Sequence, residues 1–289
     1  MMKRVFLLLC ALLIFAGIVL AQNLQLPQAV TAGAGLSIPT QGSGSATLYV
    51  YGPGTALKKD IKLGSPVQID GDQVRVAGRY IVVIKGSENA SGSFYVTPAK
   101  VENLAFLARP SRVPTARPDA ITGSAYLLDS FDNLVLQPAP VKFDISVDGG
   151  SAATKTEQSK NGIAWVQLAS GKKAGAADFV ASAGDGSVKV QRVVEQTAAE
   201  PCNIQMSAKP DPNGGILVST TPIRDCSGNP VPDGTIVTFT MNDATGKSTV
   251  DARIKKGIAE ATLPPSKQGV ITVASGVVLG NEVRWGGGK

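Results

Sequence analysis

The sequence predicts an all-β chain of tandem β-sandwiches, and three observations predict it. Apolar residues recur in short alternating runs bounded by turn residues, as half-buried strands require. Glycine and proline are abundant, at 32 and 18 of 289 residues, and beyond the N-terminus no segment sustains a helical period. A pattern of residues returns at a spacing of 93 to 96 positions, so the fold is a repeated unit rather than one large sheet.

The N-terminus stands apart. Met1-Met2-Lys3-Arg4 is a short basic segment, Val5 to Leu20 is an uncharged apolar run, and Val19-Leu20-Ala21 brings small or modest side chains to a cleavage point. That order reads as a secretory signal peptide over residues 1–21, with the mature chain beginning at Gln22. The alternative is an uncleaved anchor, because the run is only slightly shorter than the ~20 residues of a typical membrane span. Leu9 and the early position of Cys10 argue against a lipidation site. The chain is expected to be exported, to the periplasm, the cell surface or the medium.

Loss of Lys3 and Arg4 lowers the formal charge from +6 to +4. This mild basicity favours anionic envelope polymers weakly and lacks the dense Lys/Arg clustering of a nucleic-acid binder. The expected partner is a protein or an envelope polymer, not nucleic acid. Membrane contact is expected only through an uncleaved N-terminal segment.

Clear strands follow in order: Ala46 to Tyr51, Arg79 to Ile84, Val141 to Ile145, and Thr235 to Met241. In the last, Val237, Phe239 and Met241 share one face and Thr238 and Thr240 the other, so one side packs on a core. The repeat aligns Asp129-Ser130-Phe131-Asp132-Asn133-Leu134-Val135 with Asp225-Cys226-Ser227-Gly228-Asn229-Pro230-Val231. In each copy the asparagine leads to Val-x-Phe, at Val141 and Phe143 or Val237 and Phe239. Asn161-Gly162-Ile163-Ala164 then answers Lys256-Gly257-Ile258-Ala259, and Leu168 answers Leu263. A unit of this size suits an immunoglobulin-like sandwich. Short Pro-containing connections at Thr97 to Lys100 and Gln196 to Pro201 divide the mature chain into sandwiches at 22–97, 98–196 and 197–289, a semi-rigid series.

The string Asp-x-x-Gly-Asn-Pro-Val-Pro-Asp-Gly-Thr-Ile-Val-Thr-Phe-Thr at 225–240, with Gly-Ile-Ala-x-Ala-Thr-Leu at 257–263, resembles the bacterial immunoglobulin-like domain of the invasin and intimin type. The resemblance covers most of 200–285. Residues 100–195 are a degenerate copy, with Phe131-Asp132 in place of a turn glycine and Leu134 in place of proline. Residues 22–97 lack the motif, although Gly78-Arg79-Tyr80 resembles the Gly-x-Tyr strand of immunoglobulin-like folds generally. The resemblance implies an adhesion-type or scaffolding role in stacked extracellular modules, and it carries over no adhesive residue set. Read without the family, the motif is turn chemistry: Gly228 and Asn229 suit a tight turn, and Asp233-Gly234 makes a second one.

Cys202 and Cys226 meet oxidising conditions after export and are expected to pair. The turn run Pro210 to Gly215 lies between them with Gly214 at the midpoint, so a hairpin about it places the two opposite each other.

The chain contains no histidine, which removes Ser-His-Asp and Cys-His catalysis and His-based zinc sites. No carboxylate pair is placed on one cleft, no Asp-x-Asp-x-Asp calcium loop occurs, and the glycine-rich pieces at 31–35 and 41–45 lead into no helix. No enzyme activity, cofactor or metal is expected. Two features point to contacts instead. Trp165 falls where the other copy has Glu260, out of phase with Ala164, Val166 and Leu168, so it should face outward, where it would stack on a sugar or cover a surface. Arg109, Arg112 and Arg117 lie on a proline-stiffened loop suited to forked contacts with an anion. These four residues are the candidates for a glycan- or anionic-polymer-binding module, the alternative to the scaffold. Trp285 is expected to pack at the end of its core.

Overall fold

The computed structural model describes residues 22–86 and 89–286; the expected signal peptide, 1–21, lies outside the described residues. Among the described residues the regular structure is strand throughout, apart from one turn of 3₁₀ helix at Gly71–Gln73. Among the described residues no helix is long and apolar enough to cross a membrane. The chain forms two compact units. One runs to Asn103 and takes in Leu127–Gln137; the other comprises Leu104–Tyr126 and Pro138–Lys289.

In the first unit, one sheet runs in the order Gln22–Asn23, Ala90–Thr97, Gly78–Lys85, Ser45–Gly52, Thr55–Lys62, with Ala29–Thr31 also paired to Ala90–Thr97. Leu36–Ile38 and Val67–Ile69 form a second, two-stranded sheet. Alternation decides which side chains meet. Leu48, Val50, Tyr80, Val82 and Phe94 from the first sheet share a core with Ile38 and Ile69 from the second. Tyr80 is fully buried, yet its hydroxyl donates to the Val76 carbonyl at 3.0 Å, so the Gly-x-Tyr element ends in a satisfied polar tip.

The second unit holds two sets of sheets. In the first set, a five-stranded sheet ordered Arg112–Pro114, Val188–Thr197, Gly175–Ala183, Pro140–Val147, Gly150–Gln158 accompanies a three-stranded one of Ile163–Leu168, Ile121–Leu128 and Asn103–Arg109. Their phenylalanines interlock: Phe106 meets Phe179 edge-on at 5.0 Å and Phe143 at 6.0 Å. Gly123 permits this, because a Cβ there would lie 2.6 Å from the Phe179 ring.

In the second set, Met206–Pro210, Ile216–Thr220 and Glu260–Leu263 form one sheet. Gly246–Arg253, Ile236–Asp243, Gly269–Ser275 and Val278–Trp285 form the other. Val237, Phe239 and Met241 are buried and Thr238 and Thr240 are not, as the alternation predicts. Trp285 packs against this core, half-buried, and its indole N–H donates to the Ser266 carbonyl at 2.9 Å.

Cys202 and Cys226 are joined by a disulfide with their Cα atoms 5.0 Å apart. They are not directly opposite, as the hairpin centred on Gly214 would have placed them. Asp211 N–H donates to Gly215 O, which centres the hairpin on Asn213; the register then sets Cys202 across from Arg224. Cys226 reaches its partner because the chain turns back immediately after Arg224–Asp225. Closing a loop of 24 residues stabilises by roughly 3 kcal/mol through the lost freedom of the unfolded chain.

Candidate functional site

The repeated Asp-x-x-x-Asn turn does more than reverse the chain. In the second unit, Asp225 is buried and its carboxylate accepts five hydrogen bonds. Oδ1 takes the backbone N–H groups of Ser227 and Asn229. Oδ2 takes the Thr115 hydroxyl at 2.7 Å, the Ala199 N–H at 3.0 Å and the Asn229 amide at 2.9 Å. Asn229 then reaches outward: Nδ2 donates to Lys172 O at 2.7 Å and Oδ1 accepts the Ala174 N–H at 2.9 Å. One carboxylate and one amide therefore tie the turn to the connection at Ala199 and to the loop at Lys172 and Ala174.

The first unit repeats the arrangement. Asp129 accepts from Phe131 N, Asn133 N, Ala99 N and the Asn133 amide, all at 2.9 Å. Asn133 donates to Arg75 O and accepts from Ala77 N, both at 2.7 Å. Asp132, where the other copy has Gly228, takes the same left-handed backbone, with φ of 63° against 88°. Phe131 lies on Gly33, where a Cβ would meet the ring at 2.5 Å, and the Arg75 guanidinium carbon sits over the ring at 5.8 Å from its centroid. The sequence marks these residues as turn formers; their second role depends on backbone groups 26 to 58 residues away, which turn spacing does not encode.

Burial raises the pKa of Asp225, but the hydrogen bonds from Asn229, Thr115 and Ala199 outweigh it and hold the carboxyl down to about 2. Asp129 is lowered for the same reasons: burial opposes ionisation and the bonds from Asn133, Ala99 and Phe131 overcome it.

Of the candidate contact residues, Trp165 faces outward as expected, 60% exposed, while Ala164, Val166 and Leu168 are buried. It lines a cleft of about 600 Å³ with Lys155, Gln158, Lys160, Gln167 and Asp119. The arginines lie elsewhere. Their segment is not one loop: Arg109 ends the strand Asn103–Arg109, and Arg112 begins a strand paired in parallel with Val188–Thr197, opposite Glu195. The run between strands carries the chain from one sheet to the other, which shortens the loop. Arg112 and Arg117 line a second cleft of about 1090 Å³ with exposed Ile236, Val277 and Leu279; Arg109 lines neither. All three arginines are exposed. In the first unit the outward phase of the large sheet exposes Tyr51, Ile81 and Tyr95, with the Tyr49 and Tyr51 rings parallel at 6.1 Å. That face was legible only as the outward half of the alternation. No group of three residues able to hold a metal occurs among the described residues.

No family model and no curated protein matches the chain. Among solved structures it is similar to FdeC, an Escherichia coli adhesin, with a TM-score of 0.58 and 15% identity over 92% of this chain and 95% of that one. It is also similar to Yersinia pseudotuberculosis InvD, with a TM-score of 0.48 and 11% identity over 91% of this chain and 95% of that one. Invasin, a bacterial integrin-binding protein, gives a TM-score of 0.47 and 11% identity over 90% of this chain and 58% of that one.

The Asp225 bonds set a pH dependence. Its folded pKa lies below the ordinary value of 3.8, so its stabilisation is complete above the ordinary carboxylate range and is lost as pH falls through about 2. Urea midpoints measured at about pH 4.5 and pH 2 should fall further in the wild type than in Asp225→Asn, which has no carboxyl to titrate. Asn229→Ala should cost about 1–3 kcal/mol at neutral pH, because it strands the Ala174 N–H and the Lys172 carbonyl.

Proposed function

We propose that this chain, which has the immunoglobulin-like fold of bacterial domains of the invasin and intimin type, is an exported, non-catalytic adhesion-type scaffold of the bacterial envelope or cell surface. The observation that carries the reading is the twice-used Asp–Asn turn. It spends buried polar groups on fixing backbone at the connections Ala99 and Ala199, which serves tandem modules held in a defined relation rather than turnover. The reading takes residues 1–21 as a signal peptide and 22–97, 98–196 and 197–289 as the sandwiches. The fold shared with an adhesin supports the reading. The partner is a protein or an envelope polymer.

Localisation tests it. A tagged chain expressed in a bacterial host is fractionated, and intact cells are treated with protease before the tag is detected. The scaffold reading expects tag signal outside the cytoplasm, and loss of signal from intact cells identifies surface display. Retention in the cytoplasm as an uncleaved chain overturns it.

A second reading, a glycan- or anionic-polymer-binding module, is favoured by one observation: an indole 60% exposed in a cleft bordered by Lys155 and Lys160. Stacking on such a ring is a recognised source of affinity. Trp165→Ala should leave the unfolding free energy within about 0.5 kcal/mol of wild type, as an exposed site allows. In binding assays against a panel of anionic and neutral polysaccharides it should abolish saturable binding; equal binding by both proteins removes the reading.

A further inference from the structure

We propose that the outer edge of the strand Val278–Trp285 is a docking site for a parallel β-strand supplied by another polypeptide, one that turns a valine or isoleucine toward the core. The inference goes beyond the scaffold reading and rests on a comparison among the sheets themselves.

Three cross-strand pairs mark equivalent points: Gly78 lies opposite Val96, Gly175 opposite Gln196 and Gly269 opposite Trp285. At the first two points the last strand carries a short parallel strand on its outer side. Val30 lies opposite Val96, and Val113 lies opposite Gln196. The inward residues there are sealed, with Phe94 and Val96 at 1% and 2% exposure and Val194 and Gln196 at 0%. At the third point, among the described residues, no strand pairs with the outer side of Glu282–Trp285. The equivalent inward residues, Val283 and Trp285, are only half-buried.

The cause lies in where the chain turns away. Asn281 N–H donates to Ile204 O, and the Asn281 amide both accepts from Met206 N at 2.7 Å and donates to Met206 O at 2.9 Å. Those bonds cover the strand as far as Asn281. The chain then enters Met206–Pro210 on the other sheet and turns directly into Ile216–Thr220. It never crosses back, as residues 109–112 do to provide Arg112–Pro114.

This edge is charged only at Glu282 and Arg284 and differs from the other outer edges in its lack of lysine. Thr55–Lys62, Gly150–Gln158 and Gly246–Arg253 end their sheets with lysines, at Lys58, Lys59, Lys62, Lys155 and Lys247. Charged side chains, lysine above all, discourage strand addition. Val278–Trp285 contains no lysine. The occupant is set by the two internal examples, Ala29–Thr31 and Arg112–Pro114, each with a central valine. Backbone pairing would supply affinity and the half-covered slot beside Val283 and Trp285 would select the branched side chain.

The test extends the full chain after Lys289 with a flexible Gly/Ser linker and a copy of residues 109–116. A flexible tether holds the copy at an effective concentration on the order of millimolar. One control replaces the valine of the copy with aspartate and another carries the linker alone. Amide hydrogen exchange at Glu282–Trp285 should be slowed at least about tenfold by the valine copy relative to both controls. Equal exchange in all three, or protection at a different sheet edge, overturns the proposal. Protection already present in the unextended chain and rising with its concentration assigns the edge to self-association and also overturns it.

Discussion

An ionised carboxylate enclosed by protein is tolerated only when its oxygens are fully supplied with donors, and the rest of this structure depends on two that are. Asp129 and Asp225, 0% and 4% exposed, take four and five hydrogen bonds respectively. The neighbouring asparagine shares that carboxylate and passes the constraint on to backbone that belongs to no strand. The result is directional where hydrophobic burial is not: an apolar interface tolerates sliding, whereas paired N–H and C=O contacts fix position to a fraction of an ångström. Thr115 adds a fifth bond in one copy; its structural counterpart, Ala32, has no hydroxyl to offer.

Most of the fold was legible because period-2 alternation is local. Val237, Phe239 and Met241 face the core for the reason read from their spacing, and Trp165 faces solvent for the same reason applied across the repeat. Legibility ended where a residue's role depends on distant backbone. Asp225 and Asn229 read as turn formers because their local bonds, to Ser227 and within the turn, follow from spacing. Their bonds to Ala199, Lys172 and Ala174 follow from tertiary placement. The disulfide pair was legible, but its register was displaced because the hairpin centre shifted by one residue, and one residue at the turn becomes two at the partner position. The contact residues were dispersed: Trp165 lines one cleft, Arg112 and Arg117 line another, and Arg109, on the far strand of the sheet that carries Trp165, lines neither.

The same repeat shows how a chain of sandwiches is individualised. The first unit closes its last strand with Ala29–Thr31, the first set of the second unit does so with Arg112–Pro114, and the second set leaves Glu282–Trp285 unpaired on its outer side among the described residues. Gln196, where the first unit has Val96, is fully buried, and neither of its side-chain polar atoms has a hydrogen-bond partner within the protein.

The central claim is that the Asp–Asn turns fix backbone outside the sheets, and backbone hydrogen exchange at Ala77, Ala99, Ala174 and Ala199 tests it most directly. All four lie outside strands, and all four donate to the side chain of Asp129, Asn133, Asp225 or Asn229. Protection comparable to that of sheet amides in the wild type, with Ala174 losing it in Asn229→Ala, is the predicted result. Exchange of these four amides at the rate of an unstructured chain would contradict the account.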